Sequence, residues 1–199
     1  ALMISTPFAE IVEIDGQKFE WAITWLGPSE DGFFQSYCNT VPTPSGGTHE
    51  TGFRQAIVRG LRNFGDLVGN KKAADITADD ALAGGAIMLS VFLSDPQFQG
   101  QTKERLNSPE AGRLVEGAVK DHFEHWLTGN PVNANDLLER VLERADERKR
   151  RRASRELARK TPTRRLRLPG KLADCSNKSA ASTELFILEG DSAGGSAQT

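Results

Sequence analysis

The first forty residues alternate between apolar and polar side chains, a period of two that is typical of strands in a half-buried sheet. This pattern predicts strands over residues 8–14, 18–26 and 33–39. Asp15-Gly16 separates the first two runs, and an Asp-Gly pair at such a point is a strong signal for a tight hairpin turn. We therefore predict an antiparallel pair of strands joined by this turn.

The spacing of apolar residues becomes helical after a loop rich in proline and glycine, which we expect to end in a helix cap at Thr48. Apolar side chains then recur every three or four positions, at Phe53, Ile57, Leu61 and Phe64. This spacing predicts an amphipathic helix over residues 49–68. Further along, Thr77 is followed by two acidic residues and predicts the start of a short helix.

Two more elements are predicted from the middle of the chain. Residues 86–93 form a nearly continuous apolar run, which indicates a buried strand. Ser108-Pro109 predicts the start of a helix that runs to about residue 127, because proline is favoured at the first helical position.

A longer helix should follow, capped by Asn133 or Asn135 and reaching about Lys160. Its charge distribution is unusual, because residues 144–167 hold 12 Lys and Arg against 3 Asp and Glu, whereas residues 1–143 hold 11 against 20. Such asymmetry suggests a polyanionic partner near this stretch, with DNA or RNA the first candidates. From charge alone, a solvated basic helix is the simpler alternative.

Composition excludes several classes of protein. The 199 residues are 38% hydrophobic and 26% charged, which is ordinary for a globular protein and too apolar for a disordered one. No apolar run approaches the roughly 20 residues of a membrane helix, and residues 1–8 lack the pattern of a signal peptide. The two cysteines, Cys38 and Cys175, lie far apart. We expect a protein of the reducing cytoplasm with no membrane association.

One carboxylate lies where open α/β sheets place their ligand chemistry. Residues 184–188 predict a buried strand, and Glu189 follows it directly, ahead of a turn of small residues. A carboxylate there can bind Mg²⁺ or act as an acid or base, but a turn that needs small residues explains the pattern equally well. Because the predicted strand has no neighbour after it, we expect the chain to be a fragment of a longer protein.

Three motifs, taken in order, resemble the B subunits of bacterial type IIA DNA topoisomerases, which are DNA gyrase and topoisomerase IV. The first is GGTHETGFR at residues 46–54, and the second is DPQFQGQTKERL at residues 95–106. The third comprises LPGKLADC at residues 168–175 and ELFILEGDSAGGSA at residues 184–197. Together they cover most of the chain, and the second motif is closer to topoisomerase IV than to gyrase.

The resemblance implies an α+β fold in three parts. Residues 1–130 would form a transducer domain of the ribosomal S5 domain 2-like type, a small sheet with helices on one face. Residues 131–167 would form a long basic helix and linker. Residues 168–199 would be the truncated start of an α/β TOPRIM domain, including its first strand.

The resemblance also implies an ATP-dependent type II DNA topoisomerase, an isomerase that couples ATP binding and hydrolysis to double-strand DNA passage. The activities implied are relaxation and decatenation. Lys103 would reach the γ-phosphate of ATP held by a neighbouring ATPase domain, with Gln101 beside it. A lysine suits this contact because its ammonium group is a compact point charge. From the residues alone, a solvated surface lysine is the alternative.

At the DNA gate of such an enzyme, Glu189 would be the catalytic glutamate and a ligand of Mg²⁺, and Lys171 would contact the DNA backbone. The implied partners are DNA, an A subunit that carries the catalytic tyrosine, and a second B subunit in a heterotetramer. The family supplies further metal ligands from a D-x-D motif, which these 199 residues lack. We therefore expect the chain alone neither to hydrolyse ATP nor to cleave DNA.

Two other functions are consistent with parts of the sequence. One is a non-catalytic nucleic-acid-binding module with an S5-like fold and a basic arm. The other is a TOPRIM nuclease or primase, which would need acidic ligands after Thr199. His122 and His125 lie three apart on a predicted helix, but no third metal ligand is evident, so we interpret both as packing or solvated residues. The three tryptophans fit core packing better than base stacking.

Overall fold

The computed structural model describes residues 6–27 and 30–160. The chain divides into two compact units, Ala1–Ala153 and Ser154–Thr199, and the contacts described below lie within the first. Lys171, Glu189 and the predicted start of a TOPRIM domain lie outside the described residues, so these expectations stay predictions.

Five strands form a mixed sheet: β1 (Phe8–Ile14), β2 (Gln17–Trp25), β3 (Phe33–Cys38), β4 (Val41–Pro42) and β5 (Gly85–Phe92). Their order across the sheet is β1-β2-β5-β3-β4. The strands β3 and β5 pair in parallel, and the other neighbours in this sheet pair antiparallel. A parallel pair needs a crossover connection, which the helices between β4 and β5 supply.

The crossover contains α1 (Thr48–Leu67), a 3-10 helix (Lys71–Asp75) and α2 (Ala78–Leu82). After β5 come two short strands, β6 (Phe98–Gln99) and β7 (Arg105–Leu106), and then two long helices, α3 (Pro109–Gly129) and α4 (Pro131–Lys160). The sequence predictions of three early strands, the helix after the glycine loop, the strand near residue 86 and the helix from Pro109 are confirmed. The short strands β6 and β7 were not predicted.

The turn between β1 and β2 has the geometry that its sequence predicts. Asp15 and Gly16 both have positive φ, 51° and 72°, and Ile14 pairs with Gln17 across the turn. Two positive φ values match the right-handed twist of the flanking strands, and Asp-Gly adopts them readily.

One face of the sheet is covered by α1 and α3. Alternate residues of β2 and β5 are buried there: Phe19, Trp21, Ile23, Trp25, Ile87, Leu89 and Val91. Aromatic rings continue this core into α3, where the centroid of Phe123 lies 5.1 Å from that of Phe8 and 5.8 Å from that of Trp126. The three tryptophans belong to this core or pack against it, as predicted.

The opposite face of the sheet carries exposed apolar side chains, including Ile11, Phe33 and Met88. The α+β fold with helices on one face is therefore confirmed. The predicted buried strand at residues 86–93 is buried on the helix-covered face only, since Met88 on the other face is 48% exposed. Successive side chains of a strand point to opposite faces, and helices cover one of them.

Two predicted helix caps are also wrong. Gly47 occupies the N-cap position of α1, and the hydroxyl of Thr48 donates instead to the carbonyl of Ser108, at 2.6 Å. Helix α4 begins at Pro131, so Asn133 and Asn135 lie within its first two turns. Proline fits the first position of a helix because the amide hydrogen it lacks would have no intrahelical partner there. Helix α4 continues to Lys160, the last residue that the structure describes, so its predicted end there stays a prediction.

Candidate functional site

The lysine singled out from the sequence lies in the loop of a small hairpin. Phe98 in β6 pairs with Leu106 in β7, and residues 100–104 connect the two strands. Gln101 and Lys103 are both exposed in this loop. Lys103 has a φ of 55°, a left-handed conformation that residues other than glycine adopt infrequently.

The base of the hairpin is hydrogen-bonded to the loop that precedes α1. The amide of Ser45 donates to the carbonyl of Glu104 at 3.0 Å, and the amide of Leu106 donates to the carbonyl of Gly46 at 3.1 Å. Leu106 and Gly47 also form a parallel β-bridge. The structure thus brings together two of the motifs that the sequence analysis identified separately, the glycine run and the Gln-Thr-Lys loop.

Gly47 allows this close approach. Its φ is 152°, and a Cβ at this position would lie 2.3 Å from the carbonyl oxygen of Leu106. A side chain would therefore separate the hairpin from the loop. At the base of the hairpin, the amide of Gln97 donates to the hydroxyl of Ser108 at 2.9 Å. This bond joins the segments that enter and leave the hairpin, and the glycine loop holds β7 to the rest of the domain.

Beneath the glycine loop lies a group of polar side chains that the sequence analysis did not identify as a unit. The hydroxyl oxygens of Ser36 and Thr43 are 2.6 Å apart, and Nε2 of His49 is 3.2 Å from the Thr43 hydroxyl. The Ser36 hydroxyl donates to Oε1 of Glu50 at 2.6 Å. Ser36, Thr43 and His49 are buried. Burial lowers the pKa of His49 to about 4, so its imidazole is neutral near pH 7.

The ammonium group of Lys103 is free to bind an anion. Its nitrogen lies 5.9 Å from the centroid of the Phe98 ring, an arrangement that orients the side chain without neutralising its charge. Within the described residues no carboxylate forms an ion pair with it. An exposed ammonium of this kind, at the tip of a hairpin, is a suitable ligand for an anion such as a phosphate group.

A second set of contacts joins α4 to the short helix α2. The guanidinium of Arg148 donates from Nε to Oδ1 of Asp80 at 3.0 Å and from Nη2 to Oδ2 at 2.9 Å. Asp80 is 5% exposed and also accepts from the amide and the hydroxyl of Thr77. Burial opposes its ionisation, but the hydrogen bonds from Arg148 and Thr77 outweigh burial and lower the pKa of Asp80.

The basic stretch of α4 is therefore not uniformly available to a polyanion. Arg148 is held by Asp80, Lys149 donates to Asp75 at 2.6 Å, and Arg151 pairs with Glu147. Residues 149–156 are all exposed. Arg148 and Lys149 thus fix α4 against the domain, whereas Arg150 and Arg155 lie exposed on its described part.

No group of three or more potential metal ligands occurs among the residues that the structure describes. His122 packs against the ring of Trp21 at a centroid distance of 5.8 Å, which agrees with its interpretation as a packing residue. Glu189, the predicted Mg²⁺ ligand, lies outside residues 6–160, and so does Lys171. Across that range, no helix has the length and apolar character needed to cross a bilayer.

Comparison with known proteins identifies the class of this chain. A family model described as DNA gyrase B matches residues 3–157. The B subunit of DNA topoisomerase 4 from Bartonella bacilliformis is 60% identical over 179 residues, which are 90% of this chain and 26% of that protein. The chain thus spans about a quarter of the length of this relative.

Solved structures with the same fold are also known. The 43K ATPase domain of Thermus thermophilus gyrase B, in complex with an aminocoumarin, aligns with a TM-score of 0.69 and 32% identity, over 78% of this chain and 42% of that one. The topoisomerase IV ATP-binding domain of Francisella tularensis, in complex with a small-molecule inhibitor, aligns with a TM-score of 0.65 and 31% identity, over 72% and 40%. The chain belongs to the DNA gyrase B family, the B subunits of type IIA DNA topoisomerases.

Proposed function

We propose that residues 1–130 are the transducer domain of a type IIA topoisomerase B subunit, that residues 131–167 connect it to the DNA gate, and that residues 168–199 begin a TOPRIM domain. The parent enzyme would couple ATP binding and hydrolysis to the passage of one DNA duplex through another. Membership of the gyrase B family and the name of the Bartonella relative support this role.

The observation that carries the proposal is the exposed Lys103 at the tip of a hairpin whose base is fixed to the domain. ATP, bound by a preceding ATPase domain, would supply the γ-phosphate anion. Lys103 binds that anion through its charge, and the amide of Gln101 donates a hydrogen bond beside it. When hydrolysis removes the γ-phosphate, Lys103 loses its partner and the hairpin is released.

The contacts of α4 support a mechanical role for the domain. A change at the hairpin is transmitted to the domain core through the glycine loop, and Asp80 ties α4 to the same core through Arg148. Helix α4 extends without a break from Pro131 to Lys160, so it can carry a rotation of the domain toward the DNA gate.

The remaining roles rest on the family resemblance. Glu189 would bind Mg²⁺ at the cleavage centre, and Lys171 and the exposed arginines of α4 would contact DNA. The A subunit would supply the tyrosine, and a second B subunit would complete the heterotetramer. The enzyme would act in the cytoplasm, where its DNA substrate would lie.

Substitution of Lys103 in the full-length B subunit, assembled with the A subunit, tests this function. We expect Lys103→Ala to lower DNA-dependent ATP turnover about 100-fold, since a charge-assisted contact to phosphate contributes roughly 3 kcal/mol. Lys71→Ala removes an exposed lysine from the 3-10 helix and should leave turnover unchanged. Normal ATP turnover in the Lys103 variant would favour the alternative of a non-catalytic nucleic-acid-binding module, which the exposed basic stretch of α4 permits.

A further inference from the structure

Two groups contact the glycine loop at Gly46 and Gly47. The hairpin that carries Lys103 contacts it through the hydrogen bond from Leu106 to Gly46. The carboxylate of Glu50 also lies close to it, since a Cβ on Gly46 would be 2.9 Å from Oε2. Glu50 and the hairpin therefore contact the same short segment.

The two glycines have no side chains that could fix the conformation of the loop. Gly46 has a φ of 69° and Gly47 a φ of 152°, and neither has a side chain that could pack. Glycine has more conformational freedom than any other residue, so neighbouring groups must define the path of this segment. One such contact is backbone, from the amide of Gly46 to the carbonyl of Thr43 at 2.8 Å.

The hydrogen bonds below the loop have a defined direction. A carboxylate can only accept, so the Ser36 hydroxyl donates its single proton to Glu50, at 2.6 Å. The Thr43 hydroxyl must then donate to Ser36, and Nε2–H of His49 donates to Thr43. This order makes Nδ1 of His49 the unprotonated nitrogen, and among the described residues it has no hydrogen-bond partner.

We propose that Glu50 is a positioning residue for the hairpin that carries Lys103. Glu50 is the last member of a hydrogen-bond chain from His49, and its carboxylate holds the Gly46–Gly47 loop in place. The inference rests on the proposed role of Lys103 in ATP turnover and extends it to a residue that does not contact the nucleotide. This hydrogen-bond chain includes buried side chains of β3 and α1, so it transmits the rigidity of the core to the loop.

A pair of substitutions distinguishes positioning from general stability. Glu50→Leu removes the acceptor at the end of the chain, and we expect kcat for ATP to fall about tenfold while KM changes less than about twofold. Glu50→Gln should retain near-normal kcat, because the amide oxygen still accepts from Ser36. Glu139→Leu makes the same change at an exposed site on α4 and is the matched control.

The decisive readout is the effect of Glu50→Leu when Lys103 is already alanine. If Glu50 acts through Lys103, the second substitution should change turnover by less than about 1.5-fold in that background, since the two residues form one functional unit. The measurements are made on the full-length B subunit with its A subunit. Ser36→Ala removes the hydroxyl that donates to Glu50 and adds no bulk. If Glu50→Leu fails to fold, Ser36→Ala can be combined with Lys103→Ala in the same double-mutant cycle.

The outcomes separate two failures. One contrary result is that Glu50→Leu lowers ATP turnover tenfold both with Lys103 present and with Lys103→Ala, and another is that it lowers turnover in neither case. Either result would overturn the positioning role of Glu50 while leaving the function of Lys103 intact. Full ATP turnover in Lys103→Ala alone would overturn the proposed function, and the positioning role with it.

Discussion

His49 links the stability of the domain to pH. Burial lowers its pKa from 6.5 to about 4, so between these values the imidazole binds a proton in the unfolded chain but not in the folded one. Each step down in pH through this window therefore favours unfolding. We expect the free energy of unfolding of the 199-residue chain to fall by about 2 kcal/mol between about pH 7.5 and about pH 5, measured by urea denaturation.

His49→Gln should reduce this pH dependence, whereas His125→Gln, which changes an exposed histidine of α3, should leave it as it is. Asp75 and Asp80 have lowered pKa values, so their contribution is lost at a lower pH, below about pH 4. An unchanged pH dependence in His49→Gln would show that another group is responsible.

At the scale of single residues, the sequence singled out candidate side chains but not the contacts among the others. Gln101 and Lys103 were identified by a motif, and the structure places both in an exposed loop. The hydrogen-bond chain from His49 to Glu50 was not predicted, although three of its four members are buried. Its members come from a strand, a loop and a helix, and their contacts depend on the path of the glycine loop, which no periodicity encodes.

At the scale of secondary-structure elements, the contact between α2 and α4 has a testable energy. Asp80→Asn removes the charge that holds Arg148 while keeping an oxygen that can still cap α2 with Thr77. We expect it to lower the free energy of unfolding by about 2 kcal/mol, because Arg148 loses its ion pair and a buried polar group is left poorly satisfied.

Asp79→Asn provides the control for this measurement. Asp79 lies in the same first turn of α2 and is exposed, so its substitution alters the same helix end without touching Arg148. We expect Asp79→Asn to lower the free energy of unfolding by less than about 0.5 kcal/mol, measured by thermal or urea unfolding. Equal losses in the two variants would mean that the effect comes from the helix end and not from the ion pair.

Local signals predicted α2 but not what it contacts. Thr77 and the acids that follow it indicated a capped helix, and the capping box in the structure confirms it. Arg148, its partner, lies 68 residues further along the chain from Asp80 and was predicted only as part of a basic stretch. The start of α4 was predicted too late, because two asparagines were preferred as caps over a proline that fits the first helical position.

At the scale of the whole molecule, the alternation of apolar residues predicted several strands but not the order in which they pair. Gln35 in β3 and Met88 in β5 pair in register although the helices of the crossover separate them in the chain. Such pairing is set by the crossover through α1 and α2 and by the shared core, which are properties of the complete fold. The family resemblance implied a small sheet with helices on one face, but it gave no strand order.

In the proposed mechanism, this domain contacts the γ-phosphate of a nucleotide through the loop of its hairpin. Hydrogen exchange of the full-length B subunit, with a non-hydrolysable ATP analogue or with ADP, tests it most directly. We predict that the amides of residues 100–104 exchange more slowly with the analogue than with ADP, and that the turn at Asp15-Gly16 exchanges equally with both. Equal exchange of residues 100–104 in the two nucleotide states, at saturating ligand, would contradict the claim.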